Sequence, residues 1–66
     1  MEAFTDLERE ILLRVASGES ARDIAAAVLM PKRTVVRHID TCKHKLGAKN
    51  NAQLVARAIS TGFLLS

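Results

Sequence analysis

Six cations crowd the stretch from residue 31 to residue 51: Lys32, Arg33, Arg37, Lys43, Lys45 and Lys49, against the single acid Asp40. That stretch carries +5, whereas residues 1–24 hold six acids and three bases and carry −3. Arg57 brings the chain to its net +3. Ammonium and guanidinium groups gathered on one segment are the electrostatic footprint of a polyanion partner, since each can replace a counterion condensed on a phosphate. An ordinary solvated helix face carries similar charge, so the count alone leaves both readings open.

Other chemistries find no footing. No Ser or Cys nucleophile has a plausible base, no Gly-rich loop is built to cradle phosphate, and no two carboxylates are placed to line a cleft. The chain is not expected to be an enzyme. Cys42 is the only cysteine, so it has no disulfide partner and no second thiol for a zinc site. Its place in an apolar seam marks it as inert core. His38 and His44 lie six residues apart, off one another's face, and no carboxylate cluster joins them, so no metal and no cofactor is expected. A lone thiol suits a reducing cytoplasm. No apolar run reaches the length of a membrane span, and the N-terminus lacks a basic segment before an apolar one. The expected location is cytoplasmic, without a membrane partner.

The elements that must position the cations can be read from their punctuation. Sixty-six residues make one domain, 1–66, with two Phe and no Trp or Tyr, so the core is aliphatic. A chain of this size buries only about 60% of the surface its unfolded form exposes, and association would stabilise it. Thr5 and Glu8 form a capping-box pattern at the start of a first helix whose stripe is Leu7, Ile11 and Val15, with Leu12 beside it. Gly18 sits where a left-handed C-terminal cap belongs. Ser20 caps a second helix, with Asp23 near its positive end and Ile24, Ala25 and Val28 facing inward. Pro31 ends it.

A third helix spans about Lys32 to Leu46. Val35, Ile39, Cys42 and Leu46 make its 4-3-4 apolar seam, and Gly47 stops it. Its length is about 22 Å, enough to cross a major groove. Two helices joined this tightly, the second basic, make a helix-turn-helix over about residues 20–46. Asn50 and Gln53 open a fourth helix, running to about Thr61 and stopped by Gly62. Leu54, Val55 and Ala58 can pack inward, while Ala52, Ala56 and Ile59 form a second apolar stripe suited to a partner. No strand pattern occurs. The expected fold is all-α.

The ordered set of Thr5, Glu8, Glu10-Ile11-Leu12, Ala16, Gly18, Ile24-Ala25, Thr34-Val35, His38, Lys45-Leu46-Gly47, Asn50, Val55, Ala58 and Gly62 resembles the LuxR/FixJ/GerE-type helix-turn-helix family, without gaps from Phe4 to about Leu64. The resemblance implies a four-helix, tri-helical-type domain in which helix 3 reads a DNA major groove and helix 4 is a C-terminal dimerisation helix. Its dimer interface would be Ala52, Ala56 and Ile59. Family members usually carry this domain behind a sensor or receiver domain, and a few are free-standing; neither domain fits in 66 residues, so the resemblance allows one as a partner in a longer parent chain. Val36, Arg37 and Asp40 match the positions that face base edges. Val36 can pack on a thymine methyl, Arg37 can hold guanine O6 and N7 bidentately, and Asp40 can accept from a cytosine amino group. Arg22, Lys32, Arg33, Thr34, Lys43, Lys45 and Lys49 are the phosphate candidates, which position without specifying.

The chain also departs from the family pattern. Val36 stands where Lys is common, and Asn51 where an Arg would reach phosphate. Pro31 replaces a Ser that would cap helix 3, Leu7 a frequent Arg, and Leu29 a frequent turn Gly. A positive φ at Leu29 would be strained. Two functional classes follow. One is a dimeric, sequence-specific transcription regulator acting on double-stranded DNA, within reach of RNA polymerase. The other, motivated by Val36 and Asn51, is an interaction module or anti-regulator that pairs with a full-length regulator. A sigma-region-like promoter-recognition domain is a third possibility.

Overall fold

A computed structural model describes residues 4–62. The expected domain bounds, 1–66, reach beyond the described residues at both ends, as does Leu64. Four helices make up the fold: α1 (Asp6–Ala16), α2 (Ala21–Val28), α3 (Lys32–Leu46) and α4 (Asn51–Ser60). There is no strand among the described residues. α3 packs against all three other helices, and α1 also meets α2 and α4. α2 and α4 do not meet. The basic helix is therefore the element on which the rest is assembled.

Local chemistry sets each boundary. Thr5 Oγ1 accepts from the Glu8 N–H at 3.1 Å, and Glu8 Oε1 accepts from the Thr5 N–H at 2.9 Å. Both orphan donors at the start of α1 are thereby satisfied. At its end Gly18 takes φ 87°, and the Gly18 and Glu19 N–H groups donate back to Val15 and Arg14 carbonyls. That is a Schellman closure. Ser20 and Asp23 repeat the reciprocal box on α2. On α4 the pattern is altered: Asn50 Oδ1 accepts from Gln53 N–H at 2.9 Å, but Gln53 Oε1 takes the N–H of Lys49 rather than of Asn50. α4 ends at Ser60, with Thr61 as its cap.

The α2–α3 turn carries the fold's one strained backbone position among the described residues. Leu29 adopts φ 58°, ψ 46° and is 91% exposed, while the Met30 N–H closes the turn onto the Ala25 carbonyl. Left-handed geometry forces Cβ toward the following carbonyl, and this Leu buries nothing in return. Leu29→Gly is therefore expected to stabilise the domain by about 0.5–1 kcal/mol, after allowing for the larger unfolded-state entropy of Gly. For a domain of this size that raises the melting temperature by about 2–8 °C, measurable by circular dichroism. A lower melting temperature would show the strain to be relieved elsewhere. Pro31 then serves as N-cap of α3 with no side-chain cap, as its loss of a Ser hydroxyl predicts.

The core comprises Phe4, Ile11, Leu12, Ile24, Ala25, Val35, Ile39, Cys42, Leu54 and Ala58. Leu12, expected beside the α1 stripe, lies at its centre at 1% exposure, while Leu7 and Val15 are only half-buried. α1 is rotated because Glu8 also points inward, at 5% exposure. The α3 seam is buried as its spacing predicts at Val35, Ile39 and Cys42, with Leu46 half-buried at its end.

Candidate nucleic-acid interface

Burying the seam of α3 fixes what its other face presents. Val36, Arg37 and Asp40 are all exposed, Val36 at 39%. Val36 and Arg37 are neighbours on one turn and Asp40 lies on the next, so apolar, cationic and anionic groups are offered together from one continuous helix. Among the described residues the Arg37 side chain has no ion pair. Its carbonyl accepts from Thr41 Oγ1 at 3.0 Å. Asp40 does have a partner, Lys43 Nζ at 3.5 Å, one turn on. A lone carboxylate beside phosphates would be repelled, and the pair softens that repulsion.

The phosphate candidates divide into three groups. Lys32, Arg33, Lys49 on the α3–α4 loop and Arg22 on α2 are exposed and have no ion pair among the described residues. Thr34 and Lys43 are half-buried, and Lys43 is shared with Asp40. Lys45 stands apart from both groups. Its side chain, 20% exposed, is turned inward, with Nζ 3.1 Å from Glu8 Oε1 and 5.1 Å from the centre of the Phe4 ring. Lys45 closes α3 onto α1 and is already occupied by an anion of its own chain.

Glu8 was legible as a capping residue but not as an ion-pair partner. The signal was its spacing from Phe4 and Ile11, which sets an acid on the core-facing stripe and demands a buried cation. Burial pushes its carboxyl up, but the Thr5 N–H and the Lys45 ammonium outweigh that, and the net shift is below the ordinary 4.5. A second network, unforeseen in the sequence, ties the α1–α2 junction: Arg14 reaches Glu10 at 2.7 Å and Glu19 at 3.2 Å. Those contacts, Glu10's first, raise the Arg14 pKa further. Burial pushes the Cys42 thiol up to about 11, with Glu8 adding to the effect and Lys45 opposing it. The thiol stays protonated and unreactive at neutral pH. His38 is half-buried and its ring makes no hydrogen bond among the described residues. No His, Cys, Asp and Glu cluster there could hold a metal ion, and no helix is long and apolar enough to cross a membrane.

On α4, Leu54 and Ala58 are buried and Val55 is half-buried, while Ala52, Ala56 and Ile59 stay exposed, Ile59 at 44%. Two alanines and, one turn further along, the branched Ile59 leave a shallow apolar strip on α4.

Comparison with known proteins places this arrangement. Residues 2–58 match the family of bacterial regulatory proteins, luxR family. The transcriptional activator protein AhyR of Aeromonas hydrophila is 36% identical over 64 residues, 97% of this chain and 25% of its own length. SolR of Ralstonia solanacearum, also a transcriptional activator protein, is 37% identical over 60 residues, 91% of this chain and 25% of its own. A probable transcriptional regulatory protein NarL of Mycobacterium tuberculosis is 40% identical over 52 residues, 79% of this chain and 24% of its own. The chain thus spans about a quarter of the length of the curated relatives it matches. No solved structure gives a significant match. With four capped helices and the matched stretch covering α1 to α3 and most of α4, the chain belongs to the luxR family of bacterial regulatory proteins and carries its helix-turn-helix domain.

Proposed function

We propose that the chain binds double-stranded DNA sequence-specifically, with α3 in the major groove, and acts as a homodimer through α4. The observation that carries this reading is the two-sidedness of α3. One face is sealed into the core by Val35, Ile39 and Cys42, and the other exposes Arg33, Val36, Arg37 and Asp40. Lys32, Arg22 and Lys49 flank that face as phosphate contacts. The names of the relatives, transcriptional activators and a transcriptional regulatory protein, extend the reading to transcription regulation.

In vitro selection from random duplexes tests binding, symmetry and spacing together. The expected product is a two-fold pair of half-sites about one helical turn apart, with affinity falling steeply as salt rises. Failure to retain DNA even at low salt would favour the second reading, a module that pairs with a full-length regulator. The neutral, exposed Val36 and Asn51 support that alternative. For the dimer, Ile59→Glu puts a charge in place of the one large side chain of the apolar strip, and the expected sedimentation mass is that of a monomer at a concentration where the parent is dimeric. An unchanged mass would remove α4 as the interface.

A further inference from the structure

The outermost row of α3 holds one residue with no role so far. Arg33, Arg37, Asp40 and His44 each lie two residues before a seam residue: Val35, Ile39, Cys42 and Leu46. Two residues turn a helix by about 200°, so this row points away from the core. All four are exposed, whereas Thr34, Lys43 and Lys45 on the flanks are half-buried. His44 therefore continues the line of Arg33 and Arg37, one turn beyond Asp40.

Resting on the DNA-binding reading above, we propose that His44 is a proton-dependent contact to the DNA phosphate backbone. Histidine is the side chain whose ordinary charge change falls between pH 5 and 8. A phosphate partner favours the imidazolium, so binding takes up a proton and tightens as pH falls. On its own helix the charged groups around His44 are Arg37, Asp40, Lys43 and Lys45. The carboxylate of Asp40 is held by Lys43, and Lys45 faces Glu8. From the packed helices, Glu8 of α1 is the charged group turned onto α3, and no group of α1, α2 or α4 makes a hydrogen bond or ion pair with His44 among the described residues.

The test is titration of a mixed-sequence duplex of about 20 base pairs with the 66-residue chain at pH 8.0 and pH 5.5, across salt. The parent is expected to bind about threefold to tenfold more tightly at the lower pH for each bound protomer, the net range of one solvent-exposed hydrogen bond. Its salt dependence should steepen by about 0.9 in log–log slope, one added phosphate contact. His44→Gln should bind equally at both values, and His44→Lys should bind tightly at both. His38→Gln should keep the parent's response. A response that survives in His44→Gln, or vanishes in His38→Gln, overturns the assignment while leaving DNA binding intact. Absence of binding at either pH in low salt overturns the DNA-binding reading, and this contact with it.

Discussion

Lys45→Met is expected to lower the melting temperature by about 8–16 °C at neutral pH without changing the salt dependence of DNA binding. The substituted side chain keeps much of its packing over Phe4 but abandons Glu8, which is 5% exposed and whose carboxylate still accepts from the Thr5 N–H. Breaking a fully buried pair costs about 3–5 kcal/mol and an exposed one at most about 1. With Lys45 at 20% exposure, about 2 kcal/mol is the middle case. That is a large fraction of the stability of a 66-residue domain and translates into the stated shift.

The pH dependence supplies a sign. The Glu8 carboxyl is held below its ordinary value in the fold, so its stabilisation is fully present above about pH 4.5 and is lost as pH falls through the depressed value. Lys45→Met removes two of the causes that lower it. The stability gap between parent and variant should therefore be widest near neutrality and narrow below about pH 4. Thermal melts between pH 3 and pH 7 read this directly. A gap independent of pH would mean that Lys45 acts through packing on Phe4 alone. Glu8→Gln in the Lys45→Met background should recover part of the loss, because the stranded charge is gone.

This pair also marks where sequence legibility ended. Helix boundaries were written locally: Thr5, Ser20, Asn50, Gly18, Gly47 and Gly62 each act on backbone groups within a few residues, so their effect can be read without knowing the fold. The seam of α3 was legible for the same reason, since its spacing alone selects one face. Lys45 was different. Counted with five other cations it looked like part of a phosphate-binding surface, and only the approach of α1, 37 residues away in sequence, turns it inward. Arg14 with Glu19 is a second case, the last turn of α1 joined to the α1–α2 loop by a reversal whose geometry depends on Gly18. The strain at Leu29 was visible as a conflict between residue type and turn, but its sign required the φ of 58° that the turn adopts.

At a site recovered by selection, Arg37→Ala is expected to weaken binding by about 1–3 kcal/mol, or about 5-fold to 150-fold, and to relax base preference at one position per half-site. Arg37 is exposed on the outermost row of α3 and has no ion pair among the described residues, so its guanidinium is available without a competing partner to displace. The neighbouring carboxylate, Asp40, pairs with Lys43 instead. A bidentate contact to guanine is lost only where guanine stands, so affinity for a mixed-sequence duplex should fall far less than affinity for the selected site. If Arg37 instead touches phosphate, the two duplexes lose equally and the log–log salt slope drops by about 0.9. Arg37→Lys separates charge from geometry. The ammonium keeps the cation but lacks the planar fork, so the variant should hold the parent's salt slope while losing most of the preference for its base. Retention of that preference by Arg37→Lys would show that a point charge suffices, and would leave Val36 and the Asp40–Lys43 pair as the source of specificity.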